Sequence, residues 1–128
     1  MSDAIRVLVV DEDEDVLDLT ETFLERENDA IAVETETDPR AALDRVEEAG
    51  IDCVVSDYRM PGMDGMELFE AVRERRPSLP FLLFSATVED EAAADAEAAG
   101  VTAFVRKGVG VSHYREVAAA IEDAVDRS

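Results

Sequence analysis

Four stretches of the chain set residues capable of chemistry directly behind short apolar runs. Asp11 and Glu12 follow Ile5–Val10, Asp57 follows Ile51–Ser56, Ser85 closes the run that starts at Phe81, and Lys107 stands just past Thr102–Val105. Several converging carboxylates repel one another and invite a hard divalent cation. Mg²⁺ (or Mn²⁺) suits such a place, because it takes oxygen ligands and keeps some of its waters. A carboxylate is also a competent nucleophile toward phosphorus and yields an acyl phosphate. An ammonium and a hydroxyl nearby neutralise and hydrogen-bond the oxygens of a phosphoryl group in transfer, where catalysis is mostly positioning and charge stabilisation. Carboxylates from two runs, a hydroxyl from a third and an ammonium from a fourth therefore fit phosphoryl transfer onto Asp57.

Each residue also has a plainer reading. The acidic run Asp11-Glu12-Asp13-Glu14-Asp15 suits the first turn of a helix, where the macrodipole favours negative charge. That accounts for Glu14 and Asp15 better than for Asp11 and Glu12, which close an apolar run. Asp57 alone is compatible with a turn, and Ser85 with a cap. Lys107 resists the plain reading as a solvated charge, because the other eleven of the twelve basic residues are Arg. A compact ammonium on a flexible stem is what a phosphoryl oxygen selects for.

The elements that must position these residues alternate along the chain. Ile5–Val10 is short and β-branched, as a buried strand requires. Val16, Leu19, Thr20, Phe23 and Leu24 then fall at helical spacing, which predicts a helix with Glu21, Glu25 and Arg26 outward. Ile31–Thr35 is a more polar strand suited to a sheet edge. Asp38-Pro39 opens a second helix carrying Ala42, Leu43 and Val46 and stopping at Gly50. Ile51–Ser56 is strand three, with Cys53 as a small core residue. Asp64 and Glu67 form a capping pair for a helix with Leu68, Phe69 and Val72 inward. Phe81–Ser85, a helix from about Val88 to Ala99, strand Thr102–Val105 and a last helix bearing Val117, Ile121 and Val125 complete the series. Five β-α units imply an α/β fold, a doubly wound five-stranded parallel sheet with helices on both faces. Functional residues of such sheets gather at the carboxyl edge.

Composition narrows the function classes. With 128 residues, 47% of them hydrophobic, the chain suits one compact domain rather than two or a disordered tail. Its 12 basic and 32 acidic residues give a net charge of -20, which excludes DNA-type partners and disfavours anionic membrane surfaces. One Cys and one His exclude a disulfide framework and a Cys/His zinc site. No run is long enough to span a bilayer and no signal core is present, so cytoplasmic residence is expected. A surface rich in acid, with Arg favoured over Lys, fits a salt-rich, halophile-type cytoplasm. The cluster Arg73, Arg75 and Arg76 is expected to complement a helix C-terminus, and His113 to lie on the surface.

The motifs Val9-Val10-Asp11-Glu12, Val55-Ser56-Asp57-Tyr58-Arg59-Met60-Pro61-Gly62-Met63-Asp64-Gly65, Leu83-Phe84-Ser85-Ala86 and Gly100 through Gly108 resemble the receiver domain of two-component response regulators, the CheY-like superfamily. The likeness runs over the whole chain, so residues 1–128 are expected to form a single receiver domain with the flavodoxin-like fold. It implies that Asp57 is the phosphoacceptor, taking its phosphoryl group from a sensor histidine kinase or phosphotransfer protein. Asp11, Glu12, Asp57 and the backbone carbonyl of Arg59 would hold Mg²⁺. Ser85 and Lys107 would bind the phosphoryl group, gaining partners only once it is present, and the rotamer of Phe104 would follow. Arg59 and Thr87 would tune the acyl phosphate's lifetime. The face built from the fourth helix, fifth strand and fifth helix would then signal to a downstream output, as a monomer or a phosphorylation-dependent dimer. Such a domain is not an enzyme for an external substrate; it catalyses only its own phosphorylation and dephosphorylation.

Two departures and two rival readings accompany the resemblance. Glu12 stands where the family commonly has Asp, and Gly108 follows Lys107 where Pro is usual. A glycine does not pre-set the loop as a cis proline does, so a looser Lys107 loop is expected. One rival is a haloacid-dehalogenase-like phosphatase with Asp11 as nucleophile and Asp13 as acid/base. It leaves the Asp57 loop unused and lacks the family's later acidic motif. The other, a nucleotide- or flavin-binding module, fails because five consecutive acids after strand one repel phosphate.

Overall fold

The computed structural model describes residues 4–48, 50–86, 90–108 and 112–126. The elements alternate strictly: β1 Ile5–Val10, α1 Glu14–Glu27, β2 Ile31–Glu36, α2 Pro39–Glu48, β3 Cys53–Ser56, α3 Gly65–Arg75, β4 Phe81–Ser85, α4 Asp90–Ala99, β5 Ala103–Arg106 and α5 Ser112–Asp126. The five strands pair in parallel in the order β2-β1-β3-β4-β5. β2 is an edge, which explains why its residues beyond Ile31 are only half buried. The chain leaves β1 toward β2 on one side and returns to β3 on the other. This reversal opens a crevice beyond the carboxyl ends of β1 and β3.

Two cores sandwich the sheet, and alternation along each strand divides the residues between them. Leu8, Val10, Val54, Phe81 and Leu83 face α2, α3 and α4 with Ala42, Val46, Leu68, Phe69, Val72 and Ala96. Val7, Val9, Cys53, Val55, Leu82, Phe84 and Val105 face α1 and α5 with Leu17, Leu24, Val117 and Ile121. Cys53 is fully buried, and burial pushes its thiol far above the ordinary range, which leaves it a core filler.

Helix α1 corrects one expectation. Leu19 is 51% exposed, and Leu17, at 3%, fills the core with Thr20 and Leu24. Asp13 caps the helix by accepting from Asp15 and Val16 N–H. Leu19 lies two residues beyond Leu17, roughly 200° around the axis, and so points outward. The arginines at the C-terminal end of α3 do more than complement it. Arg73 donates to the Pro77 and Leu79 carbonyls and lies over the Phe69 ring, Arg76 donates to the Ile51 carbonyl at 2.8 Å, and Arg75 pairs with Glu47. Arg73 ties the turn before β4 to α3, Arg76 ties the helix end to the segment before β3, and Arg75 links α3 to α2. No helix among the described residues is long and apolar enough to cross a membrane.

Candidate functional site

Backbone bonds set the first two carboxylates in place. Past the strand ends the ladder continues: Asp11 N–H donates to the Glu36 carbonyl at 3.2 Å, and Asp57 N–H to the Val10 carbonyl at 2.9 Å. Asp11 thus leaves β1 on the β2 side, and Asp57 leaves β3 on the β1 side, with both side chains at the crevice. Their side chains are 5% and 15% exposed. Asp11 Oδ1 accepts from the Asp13 N–H and Asp57 Oδ1 from the Tyr58 N–H, both through short local turns.

One cation serves both. Lys107 Nζ lies 3.0 Å from Asp11 Oδ2 and 3.8 Å from Asp57 Oδ1. Its Nζ lies over the Phe84 ring, 5.2 Å from the centroid. Its backbone N–H donates to the Ser85 carbonyl at 3.0 Å, extending the β4–β5 ladder by one rung. Ser85, 2% exposed, gives its hydroxyl to the Asp57 carboxylate. Burial raises the Asp57 carboxyl above its ordinary range and the Asp11 charge adds to this; Lys107, Ser85 and the Tyr58 N–H pull the other way.

This corrects the expectation that Ser85 and Lys107 acquire partners only with a phosphoryl group present. Both already engage Asp57, because two largely buried carboxylates would be too costly to leave without a cation or donor.

The loop from Asp57 to Gly65 is shaped by contacts with its own backbone. Ser56 Oγ donates to the Asp57 carbonyl at 2.8 Å, Met60 is buried beneath, and Gly62 turns the chain with φ of 82°. Asp64 and Glu67 form the expected capping box at the start of α3. Gly65 N–H donates to the Tyr58 carbonyl at 2.6 Å. A Cβ at Gly65 would sit 2.6 Å from the Asp57 carbonyl oxygen, so only glycine lets α3 begin this close to the phosphoacceptor candidate.

Of the remaining predicted residues, Glu12 is exposed in the bend after Asp11, Arg59 is exposed two residues past Asp57, and Phe104 is half buried against the α2–α3–α4 core. Thr87 lies outside the described residues. Asp13 serves as the cap of α1, its side chain accepting from the Asp15 and Val16 N–H groups. Among the described residues no three His, Cys, Asp or Glu side chains gather into a metal cage. Mg²⁺ asks for less, being held by one or two carboxylates plus waters. Asp11 and Asp57, both drawn to one ammonium, meet that smaller demand, so the donor set fits a hard divalent cation.

The structure overturns the surface position that polarity alone suggests for His113: the residue is 8% exposed. Its ring lies 5.5 Å from that of Phe84 and 4.1 Å from that of Tyr114, and its Nδ1 accepts from the Gly108 N–H at 3.2 Å. The signal was present: His113 precedes Val117 and Ile121 by four and eight residues, on the inward stripe of α5.

Comparison with known proteins bears on the whole arrangement. Residues 7–119 match the family described as the response regulator receiver domain. The chain is 38% identical over 109 residues to a protein-glutamate methylesterase/protein-glutamine glutaminase of Nocardioides sp., a match covering 84% of this chain and 30% of that protein. It is 33% identical over 105 residues to response regulator protein FleR of Pseudomonas aeruginosa, covering 81% of this chain and 22% of FleR. The chain thus spans less than a third of either relative. Among solved structures, a CheY-like response regulator receiver domain protein of Methanospirillum hungatei superposes with a TM-score of 0.83 at 27% identity, covering 97% of this chain and 95% of that one.

Proposed function

Because the chain belongs to the response regulator receiver domain family, we propose that it accepts a phosphoryl group on Asp57 from a sensor histidine kinase or phosphotransfer protein. The observation that carries this reading is the sharing of Lys107 by Asp57 and Asp11 at the crevice between β1 and β3. In the transfer, a carboxylate oxygen of Asp57 forms the new bond to phosphorus. The phosphorus–nitrogen bond of the donor's phosphohistidine breaks, and its electron pair leaves with the imidazole. Asp11, Asp57, Glu12 and the Arg59 carbonyl would hold Mg²⁺, which when bound neutralises charge on the phosphoryl oxygens. Raised by burial, Asp57 is a more basic carboxylate than an exposed one and a stronger nucleophile once deprotonated.

Lys107 supplies the switching energy under this reading. A phosphoryl group brings about -1.5 to -2 charge and strong acceptor oxygens, and competes with Asp11 for the ammonium. Only interactions that differ between the two states shift an equilibrium. Movement of Lys107 is passed to β5, where Phe104 lies, and on to the face of α4, β5 and α5 that would meet an output protein or domain. Arg59, exposed beside the site, would set how readily water reaches the acyl phosphate. The protein would act in the cytoplasm, as a monomer or a phosphorylation-dependent dimer.

The test is mass measurement after incubation with Mg²⁺ and a small phosphodonor. The wild type is expected to gain one phosphoryl group and Asp57→Ala none. A label that survives Asp57→Ala, or fails to form on the wild type, refutes the reading.

A further inference from the structure

We propose that His113 is a positioning residue for Lys107, its Nδ1 holding the Gly108 amide and so fixing where the ammonium stands. The proposal rests on the reading of Asp57 as phosphoacceptor only for its functional consequence. The positioning itself stands on geometry.

Lys107 Cα lies between two amides, and both are bonded. Its own N–H donates to the Ser85 carbonyl at 3.0 Å, and the next N–H, that of Gly108, donates to His113 Nδ1 at 3.2 Å. The peptide planes on either side of Lys107 are thereby pinned, one to β4 and the other to α5. A fixed Cα direction is what a long, flexible side chain needs to reach a defined point. The same Phe84 ring underlies both partners, with Lys107 Nζ 5.2 Å and the His113 ring 5.5 Å from its centroid. His113 is itself held, packed on Tyr114, whose ring stacks 5.0 Å from Phe23 of α1.

The residue types are specific to this arrangement. A proline at position 108 would have no N–H to offer, so the bond to His113 requires a residue other than proline there, as Gly108 is. An acceptor at Nδ1 places the ring proton on Nε2. Protonation makes both nitrogens donors, and the bond to Gly108 is then lost. Among the described residues, the charged and titratable groups around the ring are Glu116 and Tyr114 on α5 and Lys107 after β5. β4 contributes the Phe84 ring, α1 supports Tyr114 through Phe23, and the Asp11 carboxylate lies beyond Lys107.

Four variants separate this role from simple packing. His113→Asn keeps an acceptor near the Nδ1 position and cannot titrate; His113→Phe fills the space without an acceptor. Gly108→Ala keeps the N–H, and its Cβ would lie at an ordinary 3.9 Å from His113 Nδ1, whereas Gly108→Pro removes the donor. Phosphorylation of the full chain by a small phosphodonor with Mg²⁺ is timed from pH 5 to pH 8. At the upper end, His113→Phe and Gly108→Pro are expected to be slower than wild type by roughly two- to tenfold, the worth of one hydrogen bond. His113→Asn restores most of the rate. The ratio of wild type to His113→Asn falls as acid protonates His113. Rates for His113→Phe and Gly108→Pro equal to wild type, or a ratio independent of pH, would overturn the proposal.

Hydrogen exchange of the Gly108 amide, measured without any phosphodonor, reads the same bond independently of Asp57. Protection in wild type and His113→Asn with faster exchange in His113→Phe is expected; equal exchange in all three refutes the positioning role. Should His113→Phe not fold, the phosphorylation rates of Gly108→Ala and Gly108→Pro compare the bond kept with the bond lost. If the wild type takes no phosphoryl group but the exchange pattern holds, the phosphoacceptor reading fails and the His113 contact stands.

Discussion

Substituting Gly65 by alanine sets two effects of opposite sign against each other. Gly65 is the first residue of α3, and alanine in a helix is favoured over glycine by up to about 1 kcal/mol. The added methyl would however sit 2.6 Å from the Asp57 carbonyl oxygen, 2.7 Å from Leu83 Cδ2 and 3.0 Å from Tyr58 Cα. Two of those three atoms are backbone, and Leu83 is fully buried, so little can yield. Overpacking in such places costs about 1–3 kcal/mol, which leaves a net loss of up to about 2 kcal/mol after the propensity gain. In a domain of this size that lowers the melting temperature by up to about 10 °C. The displaced Asp57 backbone should also slow phosphorylation. Gly62 provides the control: its φ is 82° with nothing within 4 Å of a would-be Cβ, so its constraint is conformational. Gly62→Asn, which tolerates the left-handed region, should stay close to wild type, while Gly65→Asn should be at least as damaging as Gly65→Ala. Thermal melts followed by circular dichroism decide. A Gly65→Ala variant that melts at or above the wild-type temperature refutes the reasoning, because propensity would then outweigh contact.

Other outcomes follow from the charges. Asp57→Asn removes a carboxylate that folding disfavours in its charged form, so it should raise the melting temperature while abolishing phosphorylation; a lower melting temperature would mean the Lys107 attraction outweighs burial. Burial holds the His113 imidazole below its ordinary value. The unfolded chain therefore binds the proton first, and stability should fall as pH drops below about 6.5, levelling off once the folded form also protonates. His113→Asn, compared by urea titration across that range, should lack this component. With a net charge of -20, self-repulsion is long-ranged in dilute buffer, and molar KCl should raise the melting temperature by several degrees, about 3–5 °C for each kcal/mol of relieved repulsion. An unchanged value would dissociate the acidic surface from salt adaptation.

The frame was legible because the apolar runs stop where the site residues begin. Val10 gives way to Asp11, Val55-Ser56 to Asp57, Phe84 to Ser85 and Val105 to Arg106-Lys107, so the strands and the site are bounded by nearly the same residues. What stayed hidden depends on contacts between elements distant in sequence. Choosing Leu19 over Leu17 for the α1 core was a matter of helix phase. His113 was read by its polarity and not by its place on the α5 stripe, since a histidine is buried only where an acceptor nitrogen meets a donor. That donor is the amide of Gly108, which no apolar pattern announces. The sharing of Lys107 by Asp11 and Asp57 spans β1, β3 and β5, and no local pattern encodes it.

Lys107 is the only lysine in the chain, and its ammonium is the group on which Asp11 and Asp57 converge. Reagents that select side-chain amines accordingly have a single target, at the centre of the site. Reductive methylation with an isotope-labelled carbon keeps the charge and places one spectroscopic reporter on Nζ, resolved from the α-amino signal by its chemical shift. The resonance senses which carboxylate the ammonium favours, and the rate of labelling measures how often it is released. A composition that looks like adaptation of the surface to salt has left the interior of the site with a built-in probe.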